Sequence, residues 1–446
     1  MYIVYYTLNG LCQGFTVSLD FGIINELNKK LMLDINFIRE NSQKVKEACL
    51  NKNVDINVDT VLELDRKKRE LMTEMEMLKA EQNKISRGGK DNLALISQAK
   101  EIKAKIKEME PELEKIDGEL KVLLLQLPNI PFDDVPVGKD DSQNVVLRKV
   151  GRPTSQLFHK PKDYMELGEK LNLIDTERAA KISGARFSYI KGKLAVLEFA
   201  LVKLVMDTVI KEGFTPVIPP VIVKDQIARG TGYFEAADEK EAYHLPDDDM
   251  YLVGTSEQSL VSMYADEVLN EKDLPIRYVG FSTCFRREAG SYGKDTKGIL
   301  RVHQFDKLEM VIFSKPEESK NEHKLLLSIE EKLMKALKLP YQVINICTGD
   351  LGRPAAAKND IEAWLPSENR YRETHSTSNC TDFQARRLNI RYKDQNNKMN
   401  FVHTLNGTAF AIGRTLIMIM ENYQQKDGSI KVPKVLRKYC GFKVIK

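Results

Sequence analysis

Arginine and glutamate recur at short spacing in the C-terminal half of this chain. Arg286, Arg287 and Glu288 precede a loop that contains glycine, and a run from Arg301 to Glu309 leads into a second apolar stretch. A strand, a loop and a second strand with arginine at one end form a unit suited to holding a nucleotide. The guanidinium group is always charged, and its planar set of donors matches phosphate and carboxylate oxygens. These two segments therefore predict a strand-loop-strand unit that binds a nucleotide.

A further arginine, Arg414, stands near the expected start of an apolar helix that runs to Met420. At a helix N-terminus, free backbone N–H groups and the helix dipole favour phosphate. Arg414 is therefore predicted to contact the nucleotide from a second element. The chain contains neither a Walker loop nor a Gly-x-Gly-x-x-Gly sequence, so the doubly wound folds that bind ATP through such loops lose support.

Two predicted elements precede this unit. Residues 194–211 have the apolar periodicity of a long helix, and residues 213–220 combine β-branched residues with three prolines. Because proline cannot donate to a strand ladder, we expect a strand at a sheet edge or an interface. The mixed helix and strand pattern is predicted to begin at residues 166–173, after a linker rich in proline and aspartate.

The N-terminal part of the chain carries a helical pattern instead. Lys68 and Gln82 interrupt its first apolar stripe, and Pro111 is expected to bend its second helix. Residues 86–91 contain a Gly-Gly pair and polar residues that turns prefer. The pattern predicts an antiparallel helical hairpin about 40 Å long, at about 1.5 Å per residue. Its apolar positions follow coiled-coil spacing: Val61, Leu64, Leu71, Met75, Leu78 and Ile85, then Leu95, Ala99, Ile102, Ile106, Met109, Leu113, Ile116, Leu120, Leu123 and Leu127.

The far end of this hairpin is basic. Residues 84–107 carry seven basic and two acidic side chains, a net charge of +5, whereas the whole chain carries +4. Basic groups on a rigid helix pair can neutralise phosphates and release counterions, which gives an attraction to RNA that weakens as salt rises. A solvated coiled-coil face is the alternative interpretation of the same charges.

Length and composition limit the class of protein. A chain of 446 residues with 42% hydrophobic and 30% charged residues predicts a soluble protein of two domains. No apolar run approaches the roughly 20 residues that a membrane-spanning helix requires, so no membrane partner is expected. Six cysteines without paired short spacing favour reduced thiols, a cytoplasmic location and no metal cluster.

Three segments are predicted along the chain: an extension over residues 1–31, a helical arm domain over residues 32–133 and a catalytic domain over residues 134–446. The extension contains no arginine and lacks a basic region before its apolar residues, which argues against a targeting peptide. Two interpretations of this extension stay open: either Met32 is the natural start of the protein, or the preceding segment forms an appended strand or helix.

Taken in order, these segments resemble the three signature motifs of class II aminoacyl-tRNA synthetases in their seryl form. The resemblance runs from Met32 almost to the end and also includes residues 348–352, 378–387 and 404–407. It implies an α+β fold, in which an antiparallel sheet is flanked by helices and preceded by an antiparallel coiled-coil arm. It also implies a homodimer formed through the first motif, residues 213–220.

The implied reaction has two steps, and neither requires a protein nucleophile. The carboxylate of L-serine attacks the α-phosphate of ATP to give seryl-adenylate and pyrophosphate. The 3′ end of serine tRNA, with selenocysteine tRNA as a second candidate, then attacks the acyl carbon. Catalysis would come from positioning and from stabilising charge on the phosphates. The resemblance implies that Arg286 contacts the α-phosphate and the serine carboxylate and that Arg414 contacts the γ-phosphate, which makes them the catalytic residues.

The resemblance also assigns residues to each substrate. Glu288 and Val302 would hold adenine while Phe305 stacks on it, and a structural role is the alternative for His375. Mg²⁺ would arrive with ATP on Glu373 and Ser376, because it prefers hard oxygen ligands, and no zinc is expected. The ATP set is Arg286, Arg287, Glu288, Val302, Phe305, Glu373, Thr374, His375, Ser376 and Arg414; the serine set is Thr255, Ser256, Glu257, Arg286, Glu309, Asn406 and Thr408; the tRNA set is Lys84, Arg87, Lys90, Lys100, Lys103 and Lys107.

A buried hydroxyl partner would recognise the hydroxyl group of serine, and alanine would leave it unpaired, which can support discrimination of about 10⁴ to 10⁵. Threonine would be refused by size. Two positions depart from the family pattern: Ser256 replaces the alanine of a common Thr-Ala-Glu triplet, and Asn359 replaces a frequent tyrosine, so no role is assigned to Asn359. Thr408 stands where serine is also common, and either supplies a hydroxyl.

Two other classes of protein share parts of this pattern. A paralogue that loads an amino acid onto a carrier protein typically lacks the basic arm. A non-catalytic coiled-coil scaffold that binds RNA would not need Arg286, Glu288, Glu309 and Arg414 intact. Absence of amino-acid-dependent exchange between ATP and pyrophosphate would favour the scaffold.

Overall fold

The computed structural model describes residues 33–87, 93–153, 161–232, 238–289 and 298–446. The predicted extension over residues 1–31 therefore lies outside the described residues. No helix within the described ranges is long and apolar enough to cross a membrane. The α-helices are α1 Ile35–Glu40, α2 Ser42–Asn51, α3 Val58–Arg87, α4 Leu93–Gln126, α5 Tyr164–Lys170, α6 Thr176–Ser183, α7 Lys193–Val209, α8 Asp225–Gly230, α9 Glu257–Val261, α10 Ser319–Leu337, α11 Phe383–Arg387, α12 Ile412–Asn422 and α13 Arg437–Cys440.

Helices α3 and α4 pack against each other as the predicted coiled-coil arm. The polar interruptions of the stripe have partners on the opposite helix, as buried polar groups require. Lys68 is 9% exposed and forms an ion pair with Asp117, and the Gln82 amide donates to a carbonyl of α4 at 3.4 Å. Helix α4 continues through Pro111. The seam buries predicted positions from both helices: Val61, Met75, Ile102, Ile106, Ile116, Leu120 and Leu127.

Helices α1 and α2 cover the base of this arm. Ile38 and Val45 pack into one core with Val61 and Leu124. Leu124 of α4 is buried in this core, while the predicted seam residue Leu123 is only partly buried. The arm is therefore a plain two-helix coil only beyond its base.

Eight strands form one sheet in the order β1-β11-β12-β13-β16-β10-β9-β4. Neighbours are antiparallel except β4 and β9, so the predicted α+β class is confirmed. Strand β4 carries Pro216 and lies at the sheet edge, as its prolines predicted. The strands are β1 Val145–Val150, β2 Ile174–Asp175, β3 Tyr189–Ile190, β4 Thr215–Val217, β5 Ile222–Lys224, β6 Tyr243–Leu245, β7 Met250–Leu252, β8 Val268–Asn270, β9 Ile276–Phe285, β10 Gln304–Ser314, β11 Tyr341–Asn345, β12 Ala357–Leu365, β13 Arg370–Asn379, β14 Arg391–Lys393, β15 Met399–Phe401, β16 His403–Ala411, β17 Ile430–Lys431 and β18 Val444–Ile445.

Helices flank this sheet and leave one face of its centre for a site. Helix α10 packs on β13 and β16, and α12 packs on β10 and β12. Because successive side chains of a strand point to opposite faces, Leu308 and Met310 enter the hydrophobic core while Lys307 and Glu309 point the other way. Polar side chains of neighbouring strands therefore converge on the face opposite α10.

Candidate active site

A cavity of about 310 Å³ lies on this face of the sheet. Strands β10, β12, β13 and β16 and the N-terminal end of α12 contribute to its walls. The functional prediction depends most on four residues, and all of them line this cavity: Arg286, Glu309, Thr408 and Arg414. The predicted substrate residues that line it are Thr255, Glu257, Arg286, Glu288, Val302, Phe305, Glu309, Glu373, Thr374, Ser376, Asn406, Thr408 and Arg414.

Arg286 lies where β9 stops. Its backbone N–H donates to the carbonyl of His303 at 2.9 Å, which joins the two ends of the strand-loop-strand unit. Its Nε donates to the carbonyl of Gly254 at 3.2 Å, and its guanidinium stands 5.3 Å from the centre of the Phe305 ring. These contacts hold a permanent positive charge against one wall of the cavity.

Glu288 has an unusual backbone conformation two residues further on. Its φ of 51° lies in the left-handed region, which non-glycine residues seldom adopt. Residues held in this conformation cluster at functional sites. Its carboxylate pairs with Arg301 at 2.6 Å, across the loop between β9 and β10. The pair fixes this carboxylate at the end of the cavity that Val302 and Phe305 also line.

Arg414, the third residue of α12, contacts Glu373 at the other end of the strands. Its Nη1 lies 3.2 Å from the Glu373 carboxylate and donates to the backbone carbonyl of the same residue at 3.1 Å. Desolvation opposes ionisation of Glu373, but the positive charges of Arg414 and Lys358 outweigh it and lower its pKa to about 2. A carboxylate at neutral pH and the hydroxyl of Ser376 thus offer hard oxygens on one wall, as Mg²⁺ prefers.

Glu309 and Thr408 form a second polar group in the same cavity. The antiparallel register pairs Glu309 of β10 with Thr408 of β16, and the Thr408 hydroxyl donates to the Glu309 carboxylate at 3.3 Å. Lys307 points to the same face two residues earlier on β10, and its Nζ lies 2.5 Å from the Glu309 carboxylate. Both members of this ion pair are buried, so the lysine compensates the charge of the carboxylate.

Glu257, the first residue of α9, supplies another buried carboxylate. It accepts hydrogen bonds from the side-chain amides of Asn406 at 2.9 Å and Gln384 at 2.8 Å. The hydroxyl of Thr404 donates to the amide oxygen of Gln384 at 2.7 Å, which fixes the direction of that amide. This network holds the carboxylate in one position on the cavity wall.

Comparisons with known proteins decide which family this site belongs to. Residues 32–131 match the family model "Seryl-tRNA synthetase N-terminal domain", and residues 242–423 match "tRNA synthetase class II core domain (G, H, P, S and T)". A serine–tRNA ligase from Thermobifida fusca is 47% identical over 420 residues, which cover 93% of this chain and 99% of the relative. The chain belongs to the seryl-tRNA synthetase family.

Two solved structures of the seryl-tRNA synthetase family are similar to the whole described fold. The crystal structure of seryl-tRNA synthetase from Pyrococcus horikoshii complexed with ATP has a TM-score of 0.88 and 44% identity, and covers 93% of this chain and 99% of that one. Cytoplasmic serine–tRNA ligase from Naegleria fowleri, in complex with AMP, has a TM-score of 0.85 and 34% identity with the same coverage. The predicted class II synthetase core with its coiled-coil arm is confirmed.

Three of the predicted substrate residues do not line the cavity of this seryl-tRNA synthetase family member. Along β13, alternation directs Thr374 and Ser376 into the cavity and His375 into the core, where its ring packs edge-on against Phe410. The guanidinium of Arg287 stands over Tyr243 at 5.8 Å. Ser256 is fully buried, and its hydroxyl would contact any Cβ added at residue 280.

Sequence reasoning missed three polar residues of this seryl-tRNA synthetase site. Lys307 compensates Glu309, Lys358 lines the cavity beside Glu373, and Gln384 orients Glu257. Lys307 could have been found, since it lies two residues from Glu309 and therefore on the same face of a strand. Gln384 gave no such signal, because its partner is remote in the sequence.

The described members of the predicted tRNA-binding set lie on the arm of this seryl-tRNA synthetase fold. Lys84 on α3 and Lys100, Lys103 and Lys107 on α4 are exposed. Arg87 is the last residue of α3, and Lys90 lies outside the described residues. The basic end of the arm therefore presents lysines from both helices, remote in sequence from the cavity residues.

Proposed function

We propose that the cavity activates L-serine with ATP and that the protein transfers the seryl group to serine tRNA bound along the arm. The observation that carries this proposal is the sharing of one cavity by Arg286, Arg414 and the Glu309–Thr408 pair. The arginines can bind the phosphate chain of ATP from two directions. The acidic and hydroxyl groups between them suit a small amino acid that carries an alcohol.

Arg286 and Arg414 are the proposed catalytic groups. Arg286 neutralises the α-phosphate and orients the serine carboxylate for attack, and Arg414 binds the γ-phosphate of the departing pyrophosphate. Such fixed charges stabilise the transition state because they need no reorganisation as charge develops on the phosphate oxygens. Glu288 and Val302 hold the adenine base against the ring of Phe305, beside Arg286.

Glu309 and Thr408 are the proposed serine-selecting groups. The ammonium group of serine binds between Glu257 and Glu309, and the Thr408 hydroxyl pairs with the substrate hydroxyl. The Thr408 hydroxyl donates to Glu309 and can accept from the substrate hydroxyl, so bound alanine would leave this acceptor without a partner inside the cavity. Thr255 and Asn406 complete the polar wall, and threonine is refused by size.

Mg²⁺ is proposed to enter with ATP rather than as a resident ion. Glu373 and Ser376 would hold it beside the phosphates, where it supplies charge neutralisation. Both residues line the cavity and offer the hard oxygen ligands that Mg²⁺ prefers. Within the described ranges, no cluster of three His, Cys, Asp or Glu side chains is arranged to hold a metal ion.

A homodimer is proposed from an exposed apolar surface beside the first motif. Phe199 on α7 is 69% exposed and Ile218, one residue beyond β4, is 89% exposed. Val196 on α7 and Ile210, one residue past its end, are each more than 40% exposed. Large apolar side chains left exposed in a contiguous patch mark interaction surfaces. Sedimentation velocity should give a mass of two chains, and a monomer at micromolar concentration would contradict this assembly.

The proposed setting is the cytoplasm, where reduced thiols persist. Cys49, Cys284, Cys347, Cys380 and Cys440 are all free, which fits that setting.

Direct charging tests the proposed function. Purified protein with ATP, Mg²⁺ and labelled serine should load serine onto total tRNA, and charging should fail when either ATP or tRNA is omitted.

A further inference from the structure

The segment 352–355 is held by side chains of the arm domain. The ammonium group of Lys52 donates to three carbonyls of this segment, those of residues 352, 353 and 355, at 2.9, 3.2 and 2.6 Å. The side-chain amide of Asn129 donates to the carbonyl of residue 354 at 2.8 Å, and its backbone N–H donates to that of residue 353 at 2.9 Å. Four successive carbonyls thus take their hydrogen bonds from two residues of the arm domain.

The same segment forms part of the cavity wall. Gly352, Pro354 and Ala355 line the cavity, although none of them belongs to the predicted substrate residues. The Asn129 amide also donates to the carbonyl of Cys380 at 2.8 Å, and Cys380 lines the cavity beside Asn406. The contact therefore reaches the end of the cavity where Asn406 and Glu257 meet.

Lys52 occupies a buried position, which is energetically unfavourable for a lysine side chain. Lys52 is 7% exposed, and burial lowers the pKa of its amine. Burial of an amine that can carry charge is unfavourable unless its donors find partners. An ammonium group has three donors, and the three carbonyls at this point match them one for one.

We propose that Lys52 is a positioning residue for the serine end of the cavity, through which the arm domain holds segment 352–355 in the shape that binds serine. This inference rests on the proposed function of the cavity. Lys52 does not touch substrate, and it acts only through the carbonyls that it orders. The arm domain then supports the amino-acid site in addition to binding tRNA.

Serine-dependent exchange between ATP and pyrophosphate in the full-length Lys52→Met protein tests this inference. Methionine keeps the aliphatic stem and removes all three donors. The KM for serine should rise at least tenfold, while the KM for ATP stays within about twofold, because only the serine wall loses its support. Lys52→Arg, which restores donors in a different geometry, should recover part of the loss. Lys52→Gln replaces the methionine variant if that protein does not fold.

A matched control lies at the next residue. Asn53 donates to the carbonyl of Lys139 at 3.0 Å and also links the arm domain to the catalytic domain, but it does not touch segment 352–355. Its φ of 56° suits glycine, so Asn53→Gly removes this hydrogen bond without strain. This control should keep the wild-type KM for serine. An equal rise of both KM values in the Lys52 variants, or no rise, would overturn the inference.

Hydrogen–deuterium exchange separates this inference from the proposed function. Backbone amides of residues 351–356 should exchange faster in Lys52→Met than in wild type, with no change elsewhere in the catalytic domain or in Asn53→Gly. Unchanged exchange in this segment would overturn the positioning role whatever amino acid the wild type activates. If the wild-type protein activates no serine while Lys52→Met still shows the local increase in exchange, only the proposed function would be contradicted.

Discussion

The hydroxyl of Thr408 and the carboxylate of Glu309 lie 3.3 Å apart inside the cavity. They meet because the strands β10 and β16 pair these two residues directly, with an irregularity between Leu308 and Glu309 that shifts the register. The pair sits on the rigid centre of the sheet rather than on a loop. A selective contact built on such a scaffold should lose function when a single hydroxyl is removed.

Thr408→Val removes that hydroxyl and keeps the shape of the side chain. We expect kcat/KM for serine to fall about 10- to 100-fold, since the variant leaves the buried serine hydroxyl without its partner, which costs about 1–3 kcal/mol. The preference for serine over alanine should shrink by a similar factor, whereas the KM for ATP should not change. Steady-state pyrophosphate exchange measures all three quantities.

A surface threonine provides the control for that variant. Thr73 on α3 donates to the carbonyl of Arg69 at 2.8 Å, away from the cavity, so Thr73→Val should leave the kinetics unchanged. If Thr408→Val kept the wild-type ratio of serine to alanine, the hydroxyl would not be the selective group.

Arg286→Ala should remove a charge that acts mainly in the transition state. We expect a loss of about 3 kcal/mol, roughly a hundredfold in the exchange rate, by analogy with removal of one oxyanion donor. Arg66→Ala on the arm removes an exposed arginine that pairs with Glu70, and it should have no effect on exchange. An exchange rate near that of wild type in Arg286→Ala would refute the assignment.

His375 should make the stability of the protein fall in mild acid. Burial lowers its pKa to about 3, whereas the unfolded chain has the ordinary value of about 6.5. The unfolded state therefore binds the extra proton first, and stability is complete above about pH 6.5 and is lost as pH falls towards 3. At pH 5 the loss from this residue is about 2 kcal/mol, at about 1.4 kcal/mol for each pH unit.

Urea unfolding at pH 7 and pH 5 measures this contribution. His375→Asn cannot gain the proton, so its free energy of unfolding should fall less between these pH values than that of wild type. Other groups, such as the buried His403, contribute in both proteins and cancel in the difference. Equal losses in the two proteins would show that His375 is not buried in its neutral form.

Shortening the arm should separate the two steps of the reaction. Replacing residues 79–103 by a short Gly-Ser turn leaves the base of the arm, Lys52 and Asn129 in place. Pyrophosphate exchange with serine should persist, because the cavity is intact, while charging of tRNA should be lost. Charging that survives this deletion would show that the arm does not bind the tRNA.

The charges of the arm can be tested without deletion. Replacing Lys100, Lys103 and Lys107 by alanine should weaken tRNA binding and lower the slope of log affinity against log salt by about 0.7–0.9 for each phosphate that is no longer neutralised. Alanine at three exposed lysines of the catalytic domain, Lys324, Lys393 and Lys398, should leave that slope unchanged.

Periodic parts of the fold could be predicted from the sequence. Heptad spacing gave the arm, and motif order placed Arg286 at a strand end and Arg414 at a helix start, because these features depend on residues close in the chain. Lys52 and Gln384 could not be predicted in the same way. Their partners lie at residues 352–355 and 257, so only the folded chain brings them together. His375 was predicted in the ATP set with a structural role as the alternative, and its ring lies on the other face of β13 from the cavity, because successive side chains of a strand point to opposite faces.

Pyrophosphate exchange with each of the twenty amino acids tests the central claim most directly. Purified full-length protein with ATP and Mg²⁺ should exchange label rapidly with serine, far more slowly with threonine and alanine, and not measurably with the others. Absence of exchange with serine, or equal exchange with serine and alanine, would contradict a cavity in which two arginines bind ATP while Glu309 and Thr408 select serine.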